Sequence, residues 1–195
     1  MPPSRREDLI DAAERVFRRE GFRSPSVDRV IQEAGVSRMT LYNHFKGKDD
    51  LAVAAVRRSS ERAIERLAEH LGRAGTLGLF DLLRDAVDDA AFQGCLFQRA
   101  ADEIDDVCAP ARRVVTRHRR AMVALIAETL ANEGFPAEVL GELAEDLLTV
   151  YDGALVRAQI EGGCPEHDEA PADAAGRARL LAERLLSAAG SPIDR

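Results

Sequence analysis

Ala34-Gly35-Val36-Ser37-Arg38-Met39-Thr40-Leu41-Tyr42-Asn43-His44-Phe45 is the stretch whose reading decides the fold. Leu41 and Phe45 stand at i and i+4, so on a helix both point to one side, into a core. Arg38, Thr40, Tyr42, Asn43 and His44 point elsewhere, and their side chains can bond phosphates and base edges. Ser37 is a good N-cap. Gly35 suits the positive φ of a helix end, and Val36 plugs the corner. A short, capped helix with a polar outer face, entered through a three-residue connector, predicts a helix-turn-helix DNA reader.

The preceding helix extends this reading. Val27, Val30, Ile31 and Ala34 recur at i, i+3, i+4 and i+7, one apolar face. Ser24-Pro25 offers an N-cap with proline in the first helical position. Further upstream, Ser4 and Glu7 have capping-box spacing. They open a helix whose apolar set is Leu9, Ile10, Ala13, Val16 and Phe17, ended by Gly21 with Phe22 folding back. Downstream, Asp49 and Asp50 favour a helix N-terminus, and Lys48 beside it can meet a phosphate.

The pieces Ile10-Asp11-Ala12-Ala13, Val16-Phe17, Glu20-Gly21-Phe22, Ser26-Val27-Asp28, Ala34-Gly35-Val36-Ser37, Thr40-Leu41-Tyr42, His44-Phe45 and Lys48-Asp49-Asp50-Leu51 follow one another in order. Together they resemble the N-terminal domain of the TetR (tetracycline repressor) family of transcriptional regulators. There are departures. Met39 stands where many relatives have a small residue, Pro25 replaces Thr or Ser, and Gly47 replaces the usual Ser cap. Arg29 and Ile31 replace the common Asp and Ala. The operator therefore cannot be copied from a relative.

The resemblance implies an all-α protein. Residues 1–50 would be a three-helix helix-turn-helix domain, and 51–195 a helical ligand-binding and dimerisation domain. Tyr42, Lys48 and Ser26 would hold phosphates. Arg38, Met39, Thr40 and Asn43 would face bases, His44 could do either, and Ser37 would sit at the DNA as the cap of the reader helix. The expected partners are a palindromic double-stranded operator, a second copy of the chain and an unidentified small-molecule effector.

The rest of the chain reads as helix. Leu51–Leu71 leaves the reader domain and is the natural lever, broken by Gly72, Gly75 and Gly78. Phe80–Phe92, Cys95–Ile104, a helix from Pro110 to Asn132, Glu138–Glu161 and Ala174–Ala189 follow. Gly94-Cys95 also matches an opening seen in the ligand-binding domains of some relatives. A ligand pocket among the middle helices would draw on Phe92, Cys95, Phe97, Gln98, His118, Met122, Tyr151 and Gln159. Each also reads as a plain core or surface residue. In TetR-like proteins the last two helices pair with their copies. Leu147, Leu155, Ala158, Ala178, Leu181 and Leu185 are the candidates here, with burial in the chain's own core as the alternative.

Composition is compatible. The 195 residues are 46% hydrophobic, enough for a core. The net charge is −7, but residues 1–50 hold 10 Lys and Arg against 9 Asp and Glu, so the acidity lies in the remainder. Local cation placement, not total charge, governs DNA affinity. No run suits a membrane span or a secretory signal, and three cysteines do not make a disulfide framework, so a cytoplasmic location is expected. Cys164-Pro165-Glu166-His167 is a weak zinc signal without a second ligand pair. Cys95 and Cys108, near Arg99 and Arg112, are candidate redox thiols. No phosphate loop, nucleophile elbow or metalloprotease motif is visible, so neither catalysis nor a cofactor is expected. The competing class is a helical small-molecule-binding dimer without specific DNA binding.

Overall fold

The structure, a computed structural model, describes residues 4–89, 92, 94–106, 109–161 and 173–190. Regular structure among them is entirely helical. In order come α1 (Arg5–Glu20), α2 (Val27–Ala34), α3 (Arg38–His44), α4 (Lys48–Ala74), a 3-10 turn (Gly75–Leu77), α5 (Gly78–Val87), α6 (Leu96–Glu103), α7 (Pro110–Asn132), α8 (Leu140–Glu161) and α9 (Ala174–Ala188). The chain separates into two compact units. One is Met1–Ala63 with Cys95–His118, the other Ile64–Gly94 with Arg119–Arg195.

In the first unit, each short helix starts where a side chain satisfies a backbone N–H that the helix cannot. Ser4 Oγ accepts from Glu7 N–H at 3.4 Å, Ser26 Oγ from Arg29 N–H at 3.3 Å, and Ser37 Oγ from Thr40 N–H at 3.1 Å. The expected Ser24 cap is therefore corrected. Ser26 caps α2, and Pro25 lies buried just before the helix rather than inside it. Gly35 ends α2 in the left-handed conformation, φ 63° and ψ 34°. The core runs from Leu9, Ile10, Ala13, Val16 and Phe17 through Val30, Leu41 and Phe45 to Leu51, Ala55 and Val56. Phe22 folds back and stacks on Phe17, ring centres 4.8 Å apart. Leu96 and Ala100 of α6 and Val114 of α7 belong to the same cluster. The reader helices thus share their core with residues well beyond position 50.

In the second unit, α5 packs on α8 and α9, and α8 on α9. Leu79, Phe80 and Leu83 of α5, an alanine-rich set on α9 (Ala174, Ala175, Ala178, Ala182) and Leu143, Leu147, Leu148 and Leu155 of α8 are all buried. Asp173 caps α9, accepting from Gly176 N–H at 2.7 Å, and that bond holds its carboxyl below the ordinary range. α4, α5 and α8 start at Lys48, Gly78 and Leu140 rather than Leu51, Phe80 and Glu138, and two helix ends move as well. α4 continues past Gly72, which has open space around it, and stops at Gly75, where φ is 63°. At Gly78 a Cβ would collide with the His70 carbonyl, so glycine permits that close approach. α5 ends at Val87, not Phe92. Asp88 and Asp89 would place two negative charges at the negative end of the helix dipole.

Candidate nucleic-acid interface

Arg38, Met39, Tyr42 and Asn43 stand at i, i+1, i+4 and i+5 of α3, hence on one face, opposite Leu41. All four are exposed, as are Ser26, Ser37 and His44. Met39 is 75% and Tyr42 52% exposed, which is unusual for side chains that large and apolar. Nothing among the described residues covers them, whereas base edges, thymine methyls and sugar-phosphate surface would use them. Thr40 is half-buried and its hydroxyl lies 2.8 Å from Ser37 Oγ, so it braces the cap. Lys48, at the first position of α4, donates from Nζ to the Arg23 carbonyl at 2.8 Å. One of its three donors is thereby used and two remain for a phosphate.

The charges nearby sort into two groups. Arg15, Arg18, Arg19 and Arg29 pair with Glu14, Glu20 and Glu33 at 2.9–3.3 Å. Hydrogen bonds from Arg15 and Arg19 hold the Glu33 carboxyl below its ordinary range, and bonds from Arg19 and Arg29 do the same for Glu20. Arg15, Arg19 and Arg29 thereby clamp α1 to α2, and Arg18 pairs within α1, so these charges are spent inside the domain. Arg38 is held differently: its guanidinium donates to both oxygens of Asp28, at 2.5 and 2.6 Å, while remaining 64% exposed. Asp28 thus orients the fork on the outer face of α3.

The pocket candidates fall in both units. In the first, Phe97 and His118 are brought together, ring centres 3.8 Å apart, and His118 Nδ1 shares a hydrogen bond of 3.1 Å with Ser60 Oγ. Burial pushes the His118 imidazole down to about 4. Cys95 and Gln98 are half-buried on or beside α6. Neighbouring Ser59 is buried, and its hydroxyl has no partner. In the second unit, Met122 is buried, Phe92 and Tyr151 are half-buried, and Gln159 is exposed, its amide lying against Gly94. Cys108 and the Cys164–His167 segment lie outside the described residues. Among the described residues no group of His, Cys, Asp and Glu is placed to hold a metal.

The dimer candidates divide by burial. Leu147, Leu155 and Ala178 are buried within the second unit, because their stripe faces the α5, α8 and α9 packing. Their surface is covered by the chain itself. Ala158 and Leu185 are half-buried, and Leu181 is exposed. The large apolar side chains exposed on α8 and α9 are Val156, Ile160, Leu180 and the candidate Leu181. On α8 this set continues through Gly153 and Thr149, both exposed, spaced 4, 3 and 4 along one stripe. A Cβ at Gly153 would meet nothing within 4 Å, so the chain's own packing does not require glycine there.

Three contacts were not foreseeable from local pattern: Asp28 with Arg38, Lys48 with Arg23, and Glu103 with the turn at Phe22 and Arg23. Each joins residues from separate elements, where neither periodicity nor cap spacing carries a signal.

A capped two-helix reader seated on a third helix, with a helical body following, defines a helix-turn-helix regulator. Residues 9–55 match the model of the bacterial regulatory proteins of the tetR family. By this reader domain and by its helical fold, the chain is similar to the TetR-family regulators. It is 31% identical over 81 residues to the transcriptional repressor AcnR of Corynebacterium diphtheriae, covering 42% of this chain and 39% of that one. The match therefore spans well under half of that repressor. Over almost the whole chain the fold resembles a TetR-family transcriptional regulator from Streptomyces coelicolor. The TM-score is 0.83 at 27% identity, with 98% of this chain and 92% of that one covered. A multidrug binding protein, EbrR, solved with malachite green, aligns with a TM-score of 0.69 at 25% identity, over 94% and 98% of the two chains.

Proposed function

We propose that this chain is a ligand-responsive transcriptional repressor that binds a palindromic operator as a homodimer. The observation that carries the reading is the outer face of α3, where Arg38, Met39, Tyr42 and Asn43 are exposed together over a buried Leu41. Tyr42, Lys48 and Ser26 hold phosphates, Arg38, Met39 and Asn43 address bases, and His44 does either. Two such heads enter successive major grooves about one turn, ~34–36 Å, apart.

The exposed stripe of Gly153, Val156, Ile160, Leu180 and Leu181 supports the dimer, since a second copy would take this apolar surface out of water. AcnR is by name a repressor, which supports the sign of regulation. EbrR, a multidrug binding protein seen with malachite green, supports a small-molecule effector. Such a ligand loosens DNA only through a higher affinity for the state that binds DNA poorly. Residues 1–50 carry the DNA function and 51–195 the effector and dimer functions. The protein works in the cytoplasm. No helix among the described residues is long and apolar enough to cross a membrane.

The test is a genome-wide selection of fragments bound by the purified protein, followed by fluorescence anisotropy on the selected duplex and a scrambled one. Tight binding at two chains per site, lost on scrambling, is the expected outcome. Equal affinity for both duplexes from every selected fragment would refute the reading.

A further inference from the structure

We propose that Glu103, the last residue of α6, is a positioning residue for DNA reading: its carboxylate fixes the α1–α2 turn and, through Arg23, the ammonium of Lys48. The proposal rests on the DNA-binding role argued above.

Oε2 of Glu103 accepts two successive backbone N–H groups, from Phe22 at 2.6 Å and Arg23 at 3.1 Å. The Arg23 side chain answers in the other direction, donating from Nε to the Glu103 carbonyl at 2.9 Å and from its guanidinium to Asp105. Arg99, one turn earlier on α6, lies 3.5 Å from the Glu103 carboxylate and donates to the Arg18 carbonyl at 2.7 Å. The turn between α1 and α2 is therefore held on both edges by a helix eighty residues away in sequence. Charge-assisted bonds of this kind are short and directional, so they set a position as well as an energy.

Gly21 belongs to the arrangement. Its φ of 81° is one that L side chains rarely adopt, and a Cβ there would collide with the Glu103 carboxylate. The residue that ends α1 thus also admits the carboxylate. On the far side of the turn, the Arg23 carbonyl accepts from Lys48 Nζ at 2.8 Å. The chain of contacts runs Glu103, Arg23, Lys48. It ends on the cation assigned to a phosphate, and the same turn leads into Ser26, the cap of α2. A carboxylate serving only to satisfy two N–H groups could come from within the reader helices. Supplied from α6, it couples the position of α6 to the geometry of the phosphate contacts.

Two readouts on the full-length protein test this. In hydrogen exchange on the DNA-free protein, Glu103→Ala is expected to remove protection at Phe22 and Arg23 while leaving α5, α8 and α9 unchanged. Unchanged protection at the turn overturns the proposal. In anisotropy on the selected operator, Glu103→Ala is expected to weaken binding about tenfold and to lower the salt slope by about one. The same substitution made on Lys48→Ala should cost less than about twofold, because both act on one contact. Wild-type affinity in Glu103→Ala, or a full additive loss in the double variant, overturns the positioning role. Glu103→Gln, which keeps the shape and one acceptor, should lie between the two and serves if the alanine variant does not fold. If the wild type selects no DNA while turn protection still depends on Glu103, the DNA-reading role fails. The positioning role fails with it, and the contact is structural only.

Discussion

Tyr42 and Asn43 are neighbours in sequence, yet they are expected to fail in different ways. A phenol on a phosphate contributes the same on every duplex, so Tyr42→Phe should weaken all operators alike. An amide reading a base edge discriminates, so Asn43→Ala should relax specificity at one position by about 1–3 kcal/mol. Anisotropy across a set of single-base operator variants separates the two, and a uniform loss for Asn43→Ala would reassign it to the backbone. His118 gives a prediction of another kind. Burial lowers its imidazole from 6.5 to about 4 in the folded chain, where Phe97 and Ser60 face it. Between those values the unfolded chain binds the extra proton and the folded one does not. Stability therefore falls as pH drops from 6.5 towards 4, by up to about 3 kcal/mol, and this contribution is flat above 6.5. Carboxylates add their own acid dependence, so the check is a difference. The melting temperature of His118→Gln should fall less than that of the wild type between pH 7 and 5.

At the scale of elements, helix ends carry the most readable chemistry. Ser4, Ser37, Gly21 and Gly35 announce their roles locally, because a cap needs only a side chain and the three residues after it. The α7 boundaries, Pro110 and Asn132, were legible for the same reason. Ser24-Pro25 misled because proline at a first helical position and proline just before a cap look alike in sequence. Only the Ser26 bond to Arg29 N–H distinguishes them. The outer face of α3 was legible from i, i+4 spacing. The Asp28 bond that orients Arg38 and the Glu103 bond at the turn were not, since they depend on how separate helices meet. The two glycines allow a measurable contrast. Gly35→Ala meets open space, so its cost is backbone strain alone, about 1–2 kcal/mol. Gly21→Ala meets a harsher backbone, φ 81° and ψ −177°, a region essentially confined to glycine, and it also displaces the Glu103 carboxylate, so it should cost clearly more. Urea unfolding of Gly21→Ala alone and on Glu103→Ala separates the two causes, and a cost unchanged by removing the carboxylate would mean that it moves aside freely.

At the scale of the whole molecule, the question is which apolar surface serves the chain and which serves a partner. Stripe spacing alone could not tell them apart, because Leu147 and Ile160 both lie on helical stripes of α8, one inward and one outward. Their burial separates them: Leu147 is fully buried and Ile160 is 75% exposed. Leu147→Ala should therefore destabilise the fold by about 2–5 kcal/mol. Ile160→Asp should leave the melting of the single chain nearly unchanged and shift sedimentation from dimer to monomer. A dimer that survives Ile160→Asp would place the interface elsewhere. Gly153 lies on the same exposed stripe with nothing against it. Alanine there would favour the helix of an isolated chain by about 1 kcal/mol, and the added methyl would hold a second helix further off. The two effects have opposite signs. A search for heat-resistant variants and a search for variants that assemble at low concentration would therefore disagree at this one position, and the glycine is what the second search would keep.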